Sequence, residues 1–296
     1  MAQNPDEQKQ PASQGASEKY TVEKQADGTI SIKIHVPAAD IDKVREQIVS
    51  ELVKQVDLPG FRKGTAPRKL AEEKLKTESI REEVLKKTLT NEYVAAVKAL
   101  NINPIINPRI HVEQFAEGTD LEFVADTCEE PKVDLKSYKD EIEKIKPAPK
   151  IIVPGQPEQK DDSNKKLDDI LSAALSVAEI TIPKVLIEQE ASRLLSQLLE
   201  EIKRLGVTLD NYLASRGKKD EELRKEYEER AERDLKLEFM LRKIADEEKI
   251  SVEKEDIEHA IGAISDEKQR QEIASNPYLV AAIIRQQKTL DFLSNL

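Results

Sequence analysis

The chain has 296 residues, room for about two domains, with 38% hydrophobic and 35% charged residues and a net charge of -11. No stretch approaches the ~20 apolar residues that a membrane-spanning helix needs, and a single cysteine, Cys128, excludes an internal disulfide. Nine glycines and eleven aromatics (five Phe, six Tyr, no Trp) argue against a glycine-loop enzyme or a turn-rich sandwich and for long helices with charged outer faces.

Residues 1–18 are polar and lack the apolar core of a secretory signal, so they read as a disordered tail on a cytoplasmic protein. Ile30, Ile32, Ile34 and Val36 then alternate with Ser31, Lys33 and His35, the period of a half-buried strand over 29–36. Asp27-Gly28 predicts a hairpin back to a strand over 20–24. After Pro37, helical spacing begins with Ile41, Val44, Ile48 and Leu52, with Val49, Val53 and Val56 beside them. A second long helix spans about 79–100, with Leu85, Leu89, Tyr93, Ala96, Val97 and Leu100 on one side. Strands follow at 109–114 and 120–127, the latter alternating Leu121, Phe123 and Ala125. These elements make an α+β module, a small antiparallel sheet with two long helices, over 19–138.

Composition then changes. Pro147, Pro149, Pro154, Gly155 and Pro157 precede a polar run, and 139–166 reads as a linker. Everything from 167 to 296 reads helical, an all-α second domain. Ile187, Ala191, Leu194, Leu195, Leu198, Ile202 and Leu205 form one stripe of a helix over 185–205, with Gly206 as its stop. Thr208 caps a short helix ending near Gly217, and Asp220 caps a long charged one. The apolar positions of that long helix, Leu223, Tyr227, Ala231 and Leu235, then Leu237, Leu241 and Ile244, drift round its surface. Two more helices cover 254–263 and 277–293.

No catalytic constellation emerges. His35, His111 and His259 are far apart and share no metal-ligand spacing with Cys128 or each other, so they read as surface residues, with no metal and no cofactor expected. Nucleophile elbow, phosphate loop and dinucleotide fingerprint are all missing from the sequence. Acid pairs such as Glu221-Glu222 suit a solvated helix face better than general acid/base work. Charge is uneven along the chain: 17 basic and 14 acidic side chains over 19–115, against 29 and 41 over 116–296. A phosphate-rich partner would therefore meet the N-terminal third.

One segment stands out between the two N-terminal helices. Gly60-Phe61-Arg62-Lys63-Gly64, with Pro59, Pro67, Arg68 and Lys69 around it, sets an aromatic and four cations on a backbone stiffened by Pro and freed by Gly. Phe and Arg at an exposed tip belong to the residue types that carry binding hot spots. On physical grounds alone, a docking tip and a connector with Phe61 tucked into its own core stand near parity.

The motif resembles the ribosome-docking signature of bacterial trigger factor, and the resemblance runs on. Pro131-Lys132-Val133-Asp134-Leu135-Lys136-Ser137-Tyr138 is similar to that family's exit from its N-terminal domain. Ile182-Pro183, Ile187-Glu188-Gln189-Glu190 and Glu221-Glu222-Leu223-Arg224 are similar to its helical C-terminal domain. Thr65 departs from the family's frequent lysine, a change expected to weaken slightly the docking that the resemblance implies. The resemblance implies an ATP-independent chaperone that docks at the ribosomal exit tunnel, on protein and rRNA, and holds nascent or unfolded polypeptides. Docking would fall to Gly60, Phe61, Arg62, Lys63 and Gly64, supported by Arg68 and Lys69. No membrane partner is implied, and weak homodimerisation stays open.

In the typical family member a prolyl-isomerase domain is inserted between the two matching regions. Here only the 28 residues of 139–166 occupy that place, without one Phe, Tyr or Trp, so the isomerase is expected to be missing. The rival readings are a prolyl isomerase by family, a periplasmic chaperone, and a helical scaffold unrelated to ribosomes.

Overall fold

The computed structural model describes residues 19–54, 77–114, 116, 118–145, 160–262, 270 and 273–296. The tail 1–18, Val56 and Ala263 lie outside them. Two compact units divide between Glu130 and Pro131, ahead of the expected boundary after Tyr138.

In the first unit, β1 (Tyr20–Lys24) and β2 (Thr29–Val36) form the expected hairpin. The Asp27 carboxylate closes it, accepting from the Thr29 amide at 3.0 Å and the Thr29 hydroxyl at 2.9 Å. Gly28 supplies the left-handed step, at a φ of 92°. Helices α1 (Ala38–Val53) and α2 (Thr77–Ala99) follow, then β3 (Arg109–Gln114) and β4 (Leu121–Cys128). The sheet order is β1-β2-β4-β3, all antiparallel, with a bulge between Val112 and Gln114.

Period-two alternation decides which sheet face is covered. Ile30, Ile32, Ile34, Val36, Leu121, Phe123 and Ala125 turn inward and pack with Ile41 and Ile48 of α1 and Val84 and Ala96 of α2. The opposite face carries Lys33, His35 and Glu122 in ion pairs. Proline cannot cap α1 with a side chain, and Asp120 takes that role, accepting from the Ala38 amide at 2.8 Å.

The second unit begins with β5 (Val133–Asp134), α3 (Tyr138–Ile145), α4 (Lys160–Val177) and β6 (Glu179–Ile180). Both ends of the interval read as linker are therefore helical. The predominantly helical unit also holds a two-stranded pairing, Val133 opposite Ile180 and Asp134 opposite Glu179. Two-residue strands show no period, so they leave no trace in sequence. Then come α5 (Lys184–Arg204), α6 (Leu209–Arg216), α7 (Asp220–Glu247), α8 (Lys254–Gly262) and α9 (Pro277–Asn295).

Ala191, Leu194, Leu198 and Ile202 of α5 share a core with Leu223, Tyr227 and Ala231 of α7, and α6 packs Leu209, Tyr212 and Leu213 against it. Further along α7, Leu235, Phe239, Met240, Leu241, Ile244 and Ala245 are all buried. That half of α7 is covered from more than one side, which is why its apolar positions drift. Asp220 does not cap α7. It sits in the first turn, where a carboxylate favours the helix dipole, and the Lys219 amide donates to Glu222 Oε2 at 2.9 Å instead.

Candidate functional site

All seven expected docking residues (Gly60, Phe61, Arg62, Lys63, Gly64, Arg68 and Lys69) lie outside the described residues, in the stretch 55–76 that joins α1 to α2. The structure describes the two helices that carry this stretch. Leu52 in the last turn of α1 packs on the core with Ile80 of α2. Lys87 of α2 reaches Glu51 Oε1 at 3.0 Å. The end of α1 and the start of α2 thus pack on one core, and the end of α1 is also tied to the middle of α2.

In the second unit, the conspicuous feature is apolar surface left in water. Tyr278 is 88% exposed, Leu279 57% and Ile283 59%, all in the first two turns of α9. The sequence sets these residues there by local chemistry. Asn276 caps the helix by accepting from the Leu279 amide at 3.3 Å, and Pro277 occupies the first position with its fixed φ. The middle of α9 is anchored: Arg285 donates to Asp246 Oδ1 at 2.7 Å and to the Ile250 carbonyl at 2.9 Å, and Lys288 pairs with Asp256 of α8. One part of the helix is held, and the apolar first turns are presented.

A second apolar group marks the end of α5, where Leu199, Leu205 and Val207 are exposed. Leu205, placed on the buried stripe by its spacing, is 77% exposed. It is the C-cap of α5, past the last turn that α7 covers. The chain turns there because Gly206, at a φ of 71°, lets the Val207 amide reach back to the Ile202 carbonyl at 2.9 Å. Exposed large apolar side chains mark an interaction site where they form a contiguous patch, and are ordinary exterior where they stand singly.

The exposed face of α9 went unread in sequence, but a signal is present. Tyr278-Leu279-Val280-Ala281-Ala282-Ile283-Ile284 is apolar round the whole helix, more than one core contact can bury. Only Val280 among the first turns is buried.

His35, His111 and Cys128 are engaged in the fold of the first unit. His35 lies on β2 with Nε2 3.3 Å from Asp120 and Nδ1 3.3 Å from Glu122, and His111 lies 3.9 Å from Asp126. Cys128 is buried at the end of β4, and desolvation, aided by Asp27, pushes its thiol up to about 11. A thiol held protonated in the core is a poor nucleophile. Among the described residues no group of three His, Cys, Asp or Glu could hold a metal, and no helix is long and apolar enough to cross a membrane.

Comparison with known proteins adds a consistent relationship. Residues 18–152 match the family model described as bacterial trigger factor protein, and residues 156–295 match that of the trigger factor C-terminus. A trigger factor of Macrococcus caseolyticus is 37% identical over 123 residues, 41% of this chain and 29% of that protein. One of Staphylococcus carnosus is 37% identical over 114 residues, 38% of this chain and 26% of that protein. These matched stretches span less than a third of those relatives' own length. A solved structure of a trigger factor chaperone, from work on promiscuous substrate recognition in folding and assembly, superposes with a TM-score of 0.58 at 15% identity. The superposition covers 93% of this chain and 99% of that one, a likeness of fold.

Proposed function

Because the chain belongs to the trigger factor family, we propose that it is a cytoplasmic, ATP-independent chaperone that docks on ribosomes and holds unfolded polypeptides. The observation that carries this reading is the order of the two matches: an N-terminal family region containing Gly60-Phe61-Arg62-Lys63-Gly64, then a C-terminal region bearing the exposed apolar groups. In this reading Phe61 docks by apolar burial, Arg62 by a bidentate fork to phosphate or carboxylate, and Lys63 as a point charge. Gly60 and Gly64 shape the tip, and Arg68 and Lys69 add electrostatic support.

Holding requires apolar contacts weak enough to release. Tyr278, Leu279 and Ile283, with Leu199, Leu205 and Val207, offer small apolar footholds within a charged unit. No phosphate-binding loop occurs in these 296 residues, so release proceeds without nucleotide.

The test is co-sedimentation with ribosomes across a salt series. Hot-spot truncations cost ~2 kcal/mol or more each, so Phe61→Ala/Arg62→Ala/Lys63→Ala should lose well over tenfold in affinity. Losing two phosphate-reaching cations should also flatten the salt dependence. A folded variant that binds like the parent at every salt concentration overturns the docking assignment. If circular dichroism shows the variant unfolded, Phe61 is a core residue and the docking assignment fails as well.

We further propose that the chain does not catalyse prolyl isomerisation. What supports this reading is the short interval between the two matches, the first ending at residue 152 and the second beginning at 156, against the ~50 residues or more that a folded domain needs. Uncatalysed exchange takes tens of seconds, so a protease-coupled proline-peptide assay has range to detect acceleration. Rates should stay at the uncatalysed value at every protein concentration. Acceleration proportional to concentration, in a preparation free of host isomerases, would falsify the proposal.

A further inference from the structure

We draw no further inference here: the strongest candidate, the cleft of about 120 Å³ between the first two turns of α1 and α2 and the β3–β4 turn, has an apolar floor of Ile41, Ile80 and Val84 under a rim of balanced charge, and nothing in the structure shows what covers it.

Discussion

Glu248, just past the end of α7, gathers two donors from the start of α3. Its carboxylate accepts from the Tyr138 hydroxyl at 3.0 Å and from the Lys139 ammonium at 2.6 Å. The same ammonium lies 5.9 Å from the ring of Tyr138 and 5.8 Å from that of Phe292 on α9. The Lys139 hydrogen bond, with that of Tyr138 behind it, holds the Glu248 carboxyl below its ordinary range. Burial, then Glu248, pushes the Tyr138 phenol up. A carboxylate whose folded pKa is depressed stabilises the fold above its unfolded value of ~4.3, and that contribution is lost as pH falls through the folded value. Glu248→Gln should therefore cost about 1 kcal/mol at pH 7, since both groups are partly exposed. It should also flatten the loss of stability below pH ~4.3. Urea melts from pH 3 to 7 measure both effects, and parallel curves for variant and parent would refute the coupling. Sequence reading placed Tyr138 at the end of one domain and Lys139 at the start of a linker. Their partner is 110 residues from Tyr138, beyond the reach of any local pattern.

Helix ends show how local chemistry decides an element. Thr208 caps α6 by accepting from the Asn211 amide at 3.3 Å, as its residue type predicts. The far end of α7 closes with the same double amide-to-carbonyl turn as α5, the Ile250 amide reaching the Ala245 carbonyl at 2.9 Å. Yet the left-handed position there is Lys249, at a φ of 55°, not glycine. An L side chain strains in that region, so Lys249→Gly should stabilise the protein by about 0.5–1 kcal/mol. The converse substitution, Gly206→Ala, should destabilise by about 1 kcal/mol. A Cβ there meets nothing within 4 Å, so the cost is backbone conformation alone. Denaturation midpoints moving in opposite directions with unchanged slopes are the expected result. A shift of the same sign in both would show that contacts, not φ, govern these turns.

At the scale of the whole chain, the charge asymmetry read along the sequence does not follow the units. Dividing at Glu130 gives 18 basic and 23 acidic side chains in the first unit and 29 and 35 in the second, both modestly acidic. Acids of β3, β4 and the residues after β4 fold back onto cations of the hairpin, Lys33 meeting Glu113 and Glu122, and Lys24 meeting Glu129. Docking on a phosphate-rich surface would then rest on a local basic cluster rather than on net charge. In the proposed reading, client holding falls to the second unit. Tyr278→Ser/Leu279→Ser/Ile283→Ser should leave unfolding within about 0.5 kcal/mol per site, because exposed positions contribute little to stability. The same variant should suppress client aggregation several-fold less in light scattering. Full suppression by a folded triple variant would move the client surface away from α9.

The sequence by itself determined what depends on neighbours a few residues apart. Period-two alternation fixed which residues of β2 and β4 line the core, and helical spacing found α1, α2, α5 and α7. Thr208 marks a helix start by residue type alone, and the Gly60–Gly64 motif and its family resemblance need no coordinates. Tertiary structure decided what depends on partners far along the chain. The β5–β6 pairing draws Val133 to Ile180 and makes residues after Pro131 part of the second unit. Leu205 and Leu198 lie seven residues apart on one helical stripe, yet one is exposed and the other buried. Spacing sets the face of a helix, but only the element packed against it, and where that element ends, decides which apolar residues remain in water.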